Sequence, residues 1–130
     1  MPSVTLPYPP SANRYWRVNR TGKPYRSAEA AAYIEAVGWE CAARGLTDPL
    51  LETVSVRLAY HHAPGRRIDL DNGLKQILDA LQGYAYSDDK QIVHLEAELV
   101  QLPRSRTPYV VVVIVPCEAR VLEAADGYNA

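Results

Sequence analysis

The residues best suited to chemistry lie close together. Asp69-Leu70-Asp71-Asn72-Gly73-Leu74-Lys75 sets two carboxylates near an ammonium group, and a second acidic pair, Asp88-Asp89, follows further on. If Asp69 to Asp71 is extended, a period of two places both carboxylates on one face. If a helix begins at Asp71 or Asn72, then Asp71, Lys75 and Asp79 share a helical face. An antiparallel return after that helix would bring Asp88-Asp89 beside the first pair. Carboxylates gathered in this way repel unless something positive joins them. Hard divalent cations prefer oxygen ligands, and Mg²⁺ takes a few carboxylates together with water and phosphate oxygens. Such a centre activates water and offsets charge in phosphodiester cleavage. A lysine beside it stabilises negative charge developing on the phosphate.

Plainer readings stand beside this one. Asp69 or Asp71 could serve only as a helix cap, and Lys75 with Asp71 only as a surface pair. Asp88-Asp89 could be no more than a polar turn. A calcium loop is excluded, because glycine belongs at its sixth position and Leu74 stands there when Asp69 is counted first. His61-His62 lies before a polar turn, and His94 falls in a strand pattern. Both read as structural.

A second constellation is basic. Arg14, Arg17, Arg20, Lys23 and Arg26 all fall before the first acidic residue, interleaved with Tyr8, Tyr15, Trp16 and Tyr25. Cations neutralise phosphates and aromatic rings stack on unpaired bases. The alternative is a solvated loop with its rings tucked onto the core. Arg66-Arg67 directly precedes Asp69, and Arg104 and Arg106 form a third basic spot. The net charge is −1, so a polyanion would meet local patches and not a basic protein.

The elements that position these groups follow from periodicity. Val4 to Leu6 reads as a short strand, stopped by prolines, and Ser11 to Arg26 as a long loop. Ser27 caps a helix over Ala28 to Arg44, with Ala30, Ile34, Val37 and Cys41 at helical spacing. Val54 to Tyr60 alternates as a half-buried strand, and Ile68 to Leu70 extends a strand edge. Leu74, Ile77, Leu78 and Leu81 mark a second helix, about Asn72 to Gln82. Val93 to Leu99 alternates again as a half-buried strand. Tyr109 to Val115 is apolar on both faces and reads as a central strand. The last two strands lie close enough for an antiparallel hairpin. The product is an α/β (α+β) fold, one domain with a mixed four-stranded sheet and two main helices.

The chain has 130 residues, enough for one domain with its own core. It shows no signal peptide and no apolar run long enough for a membrane helix. Cys41 and Cys117 cannot build a disulfide framework and read as reduced thiols of a cytoplasmic protein.

Taken together, Arg66 to Asn72, Leu78 to Leu81 and Asp88-Asp89-Lys90-Gln91-Ile92 closely resemble the RusA family of Holliday junction resolvases. The opening Leu6-Pro7 and Pro10-Ser11-Ala12-Asn13-Arg14-Tyr15 is similar to that family's start. The matches run from about Leu6 to Val115, which sets a nuclease domain at 1–117 and a tail at 118–130. The resemblance implies a homodimeric, Mg²⁺-dependent endonuclease that nicks opposed strands of a four-way DNA junction. The family's essential acids map onto Asp69, Asp71 and Asp89, and its lysine onto Lys75. Asp88 is implied as a further metal ligand or its support, and Asp79 as a residue orienting Lys75. Lys90 falls at a variable position. Arg14, Arg17, Arg20, Lys23, Arg66 and Arg67 are the expected phosphate contacts. Two other functions fit the same residues: a junction-binding protein without catalysis, and a general nuclease for branched or flap DNA.

Overall fold

The computed structural model describes residues 3–65 and 67–122. The chain runs β1 (Ser3–Pro7), the one-turn helix α1 (Ala12–Tyr15), the short strands β2 (Trp16–Val18) and β3 (Pro24–Arg26), then α2 (Ala28–Ala43), β4 (Val54–His62), α3 (Leu74–Ala80), β5 (Ile92–Gln101) and β6 (Tyr109–Pro116). The main sheet has the order β1-β6-β4-β5, and β2 and β3 form a separate antiparallel hairpin. No helix among the described residues is long and apolar enough to cross a membrane.

The mixed four-stranded sheet and two main helices match the sequence expectation, but the strand pairing differs. β5 and β6 do not form a hairpin. β4 lies between them, parallel to β5 and antiparallel to β6. The physical reason is visible in the side chains. β6 buries Val110, Val112 and Ile114 and carries further valines on its other face, so it gains most from a neighbour on each side. β5 carries Glu96 and Glu98, which favour an edge. It leaves Val93, Leu95 and Leu99 39–40% exposed, so it is less buried than its alternation suggests. The crossover from β4 through α3 then delivers β5 in parallel.

The core lies between one sheet face and the helices. Val4, Leu6, Val56, Leu58, Tyr60, Val110, Val112 and Ile114 meet Tyr33, Val37 and Cys41 of α2 and Ile77 and Ala80 of α3. Burying a side chain such as Ile77 or Ile114 contributes roughly 1.5–3 kcal/mol. α2 starts where the Ser27 hydroxyl accepts from the Ala30 N–H at 3.1 Å. Its innermost row contains Tyr33 where Ile34 was expected, and Ile34 is only partly buried.

The Ser11–Arg26 stretch is ordered where sequence reads a loop. α1 is one turn, and β2 and β3 pair Trp16 with Arg26 and Val18 with Pro24. The Asn19 side chain closes the hairpin turn, accepting from the backbone N–H groups of Thr21 and Lys23 at 3.0 and 2.9 Å.

Candidate active site

Asp69 and Asp71 sit in consecutive turns leading into α3. Asn72 N–H donates to the Asp69 carbonyl at 3.0 Å, and Leu74 N–H to the Asp71 carbonyl at 3.2 Å. The expected strand edge over Ile68 to Leu70 does not form, and α3 begins at Leu74, two residues later than expected. Gly73 is the cause. Its φ of 93° ends helical geometry there, and glycine alone adopts that region freely. A Cβ at this position would stand 2.7 Å from Pro9 Cγ. The proline-rich segment after β1 therefore packs directly onto the acidic turn. Asp71 lies outside the helix and does not share its face with Lys75 and Asp79.

These turns form one wall of a cavity of about 360 Å³. Asp69, Asp71, Asn72, Lys75 and Gln76 line it from one side, and Ser11, Asn13 and Trp16 from the other. Two of the predicted acids and the predicted lysine thus share one open, polar cavity. Arg67 lies next door, lining a smaller cavity with Asp69 and Tyr8. Arg66 lies outside the described residues. Beneath the turns, the Tyr60 hydroxyl is buried without a hydrogen-bond partner among the described residues. Burial pushes its pKa up, and the Tyr8 hydroxyl and the Asp71 carboxylate add to that.

Asp88 and Asp89 do not line this cavity. Asp88 caps the short 3₁₀ turn Asp89–Gln91. Its carboxylate accepts from Lys90 N–H at 2.9 Å, while Gln91 Oε1 accepts from Asp88 N–H at 2.8 Å. The backbone hydrogen bond from Lys90 holds the Asp88 carboxyl below its ordinary pKa. Gln91 also donates to the carbonyls of Leu50 and Glu52. Part of the Asp-Asp-Lys-Gln motif is therefore a structural clamp that fixes the turn carrying Asp89 into β5. Among the described residues, no group of three or more His, Cys, Asp or Glu side chains is gathered closely enough to hold a metal ion. Asp69 and Asp71 alone still fit a hard cation, because Mg²⁺ is usually held by one or two carboxylates and completes its shell with water and phosphate.

Asp79 departs from its expected role. It does not turn toward Lys75. Arg26 Nε and Nη2 donate to its two oxygens at 2.9 and 2.7 Å. The Tyr15 hydroxyl donates to it as well, and Gln82 Nε2 donates at 3.3 Å. The other end of the Gln82 amide accepts from Asp89 N–H at 3.2 Å. Burial alone would raise the Asp79 pKa. The hydrogen bonds from Arg26 and Tyr15, with the Arg26 charge, outweigh it and hold the carboxyl below its ordinary value. This carboxylate thus fastens the β2–β3 hairpin to α3, and through Gln82 to the Asp89 turn. Nothing local in the sequence announces it, since Arg26 and Asp79 meet only through the fold.

The basic residues stand where that hairpin leaves them. Arg14, Arg17, Arg20 and Lys23 are exposed, and none of them forms an ion pair among the described residues. Arg26 is the exception, committed to Asp79. Both cysteines are free, and burial pushes the Cys41 thiol up to about 11.

An acidic cavity with a lysine, beside a face of unpaired cations, suits phosphodiester cleavage on a polyanion such as DNA. The comparisons with known proteins agree. Residues 7–115 match the family model described as Endodeoxyribonuclease RusA. The chain is 40% identical over 102 residues to the Crossover junction endodeoxyribonuclease RusA of Escherichia coli (strain K12), covering 78% of this chain and 82% of that protein. It is also 40% identical over 101 residues to the protein of the same name from Enterobacteria phage 82, covering 77% and 82%. The chain belongs to the RusA family of endodeoxyribonucleases.

Proposed function

We propose that the protein is a Mg²⁺-dependent endonuclease that resolves four-way DNA junctions by paired nicks in opposed strands. The observation that carries this reading is the shared cavity of Asp69, Asp71 and Lys75 beside the exposed cations of the N-terminal hairpin. The RusA relatives, whose names specify crossover junctions, favour this substrate over other branched DNA.

Asp69 and Asp71 are the residues to hold the metal ion; the family resemblance adds Asp89, which stands outside their cavity here, as a further ligand, with Asp88 fixing the turn that carries it. Bound there, a divalent cation supplies an activated water and offsets phosphate charge. Lys75 approaches the scissile phosphate and stabilises the added negative charge of the transition state. Arg14, Arg17, Arg20 and Lys23 neutralise flanking phosphates, joined by Arg67 beside the acidic turn and by Arg66, its neighbour in the sequence. A four-way junction presents two equivalent strands, so two copies related by a twofold axis cut both with one kind of site. The protein works in the cytoplasm, where bacterial and phage DNA recombines.

The test uses a synthetic four-way junction, a flap and a matched duplex, each with Mg²⁺ or with EDTA, and the protein's sedimentation in solution. Symmetric nicks in the junction alone, requiring Mg²⁺ and lost in Asp71→Asn, support the reading. Equal cutting of the flap would make the protein a general branched-DNA nuclease. Tight junction binding without nicks would leave a binding protein. Junction cleavage by Asp71→Asn at the wild-type rate would overturn the site.

A further inference from the structure

The cavity that holds Asp69, Asp71 and Lys75 has a second wall that phosphodiester cleavage does not use. Trp16 lines it. The indole is held edge-on against Tyr15, with ring centroids 5.1 Å apart and planes at 67°, yet it remains 37% exposed. Its position is fixed from behind. Tyr15 is fully buried and bonded to Asp79, and Trp16 pairs across the hairpin with Arg26, which is bonded to the same carboxylate. An aromatic ring held still at the rim of a polar cavity is a stacking platform.

Gln76 supplies an independent sign. It lines the same cavity and is only 3% exposed, and its Nε2 has no hydrogen-bond partner among the described residues. A buried amide nitrogen without an acceptor is costly, and native proteins keep few of them. A metal ion cannot relieve it, because a cation accepts no hydrogen bond. A nucleobase can. It offers a flat face to Trp16, and carbonyl or ring-nitrogen acceptors at its edge to Gln76. Asn13 and Asn72, in the same walls, add further amides. The volume of about 360 Å³ lies at the small end of ligand pockets.

We propose that this cavity takes one unstacked nucleobase of the DNA, stacked on Trp16 and read at its edge by Gln76, and that this contact selects the sequence at which the strand is cut. The proposal rests on the endonuclease reading. Bases at a branch point leave the stack more readily than those within a duplex, which lowers the cost of drawing one in.

Two measurements test it. The first uses Trp39→Phe, since Trp39 is 71% exposed on α2 and outside the site, leaving Trp16 as the remaining indole. In EDTA, its emission should be quenched on adding a junction or single-stranded DNA and change little with matched duplex. The second measures cleavage across junctions that vary the base beside the nick. Trp16→Ala should cut roughly 10- to 100-fold more slowly, the span of one base stack, while Trp16→Phe keeps most of the rate. Gln76→Met should flatten the base preference without lowering the melting temperature, because it removes a buried donor and leaves none behind. Unchanged Trp16 emission, or wild-type rate and preference in both Trp16→Ala and Gln76→Met, overturns the proposal. If no junction is cut at all, the endonuclease reading fails on its own. The emission titration still decides the pocket, with quenching supporting it and its absence overturning it.

Discussion

Arg26 and Asp79 stand 53 positions apart in the chain and meet through two hydrogen bonds, at 2.9 and 2.7 Å. Arg26 ends the basic hairpin, and Asp79 lies on α3, one turn beyond Lys75. This contact sets the basic hairpin against the helix that carries the lysine. Asp79 is largely buried and Arg26 half exposed, so its worth lies more in geometry than in Coulomb energy.

Removing the carboxylate should therefore loosen the site as well as the fold. Asp79→Ala leaves the buried Tyr15 hydroxyl and the Gln82 amide without their acceptor, at a cost of about 1–3 kcal/mol. Urea unfolding should show the lower midpoint. Cleavage should fall more than junction affinity, because the cations stay on the hairpin while the Asp89 turn is no longer tied through Gln82. A variant that binds and cuts like wild type would show that this tie has no part in positioning.

The same carboxylate sets a pH dependence. Its folded pKa lies below the ordinary value of 3.8. A depressed carboxyl contributes stability in full above the unfolded value, and that stability is lost as pH falls through the folded one. Melting temperature should thus decline from about pH 4 downward, and decline less steeply in Asp79→Asn. Parallel curves for the two proteins would assign the acid sensitivity to other groups.

Gly73 offers a test of the acidic turn that leaves every charged residue in place. Its positive φ alone costs an alanine roughly 1–2 kcal/mol. The new Cβ would also press on Pro9 at 2.7 Å. Gly73→Ala should lower the melting temperature and depress cleavage together, by shifting Asp69 and Asp71. A stable, fully active variant would mean that the turn tolerates displacement.

Clustered carboxylates repel until a cation joins them. Mg²⁺ should raise the melting temperature in step with its concentration. In EDTA, Asp69→Asn should melt higher than wild type, and the order should reverse or close as Mg²⁺ is added. Identical curves in EDTA would count against charge crowding at the turn.

Salt titration separates the hairpin's cations from those used structurally. Removing one cation that neutralises a phosphate should reduce the slope of log affinity against log salt by about 0.9 on duplex arms. Arg14→Ala and Arg17→Ala should each show that change, and so should Arg20→Ala and Lys23→Ala if all four touch phosphates. An unchanged slope removes the residue from the interface.

The sequence by itself marked the main strands and helices and the family. Alternation over Val54 to Tyr60 specified β4, the apolar run at Tyr109 to Val115 marked the central strand, and Ser27 marked the start of α2. Those signals are local, because a strand's faces and a helix's cap are set by residues within a few positions. The Asp69-x-Asp71-Asn72 and Asp88-Asp89 motifs carried the family resemblance in the same way. Long-range choices were not written locally. Whether β6 pairs with β5 or β4 depends on which strand profits most from two neighbours. Where α3 starts depends on how Gly73 meets Pro9. That Asp79 answers Arg26 and not Lys75, that Trp16 and Gln76 wall the acidic cavity, and that Asp88 spends its carboxylate on a cap were decided only when distant segments packed. Those contacts follow from burial and hydrogen-bond satisfaction across the whole chain, which no window of neighbouring residues contains.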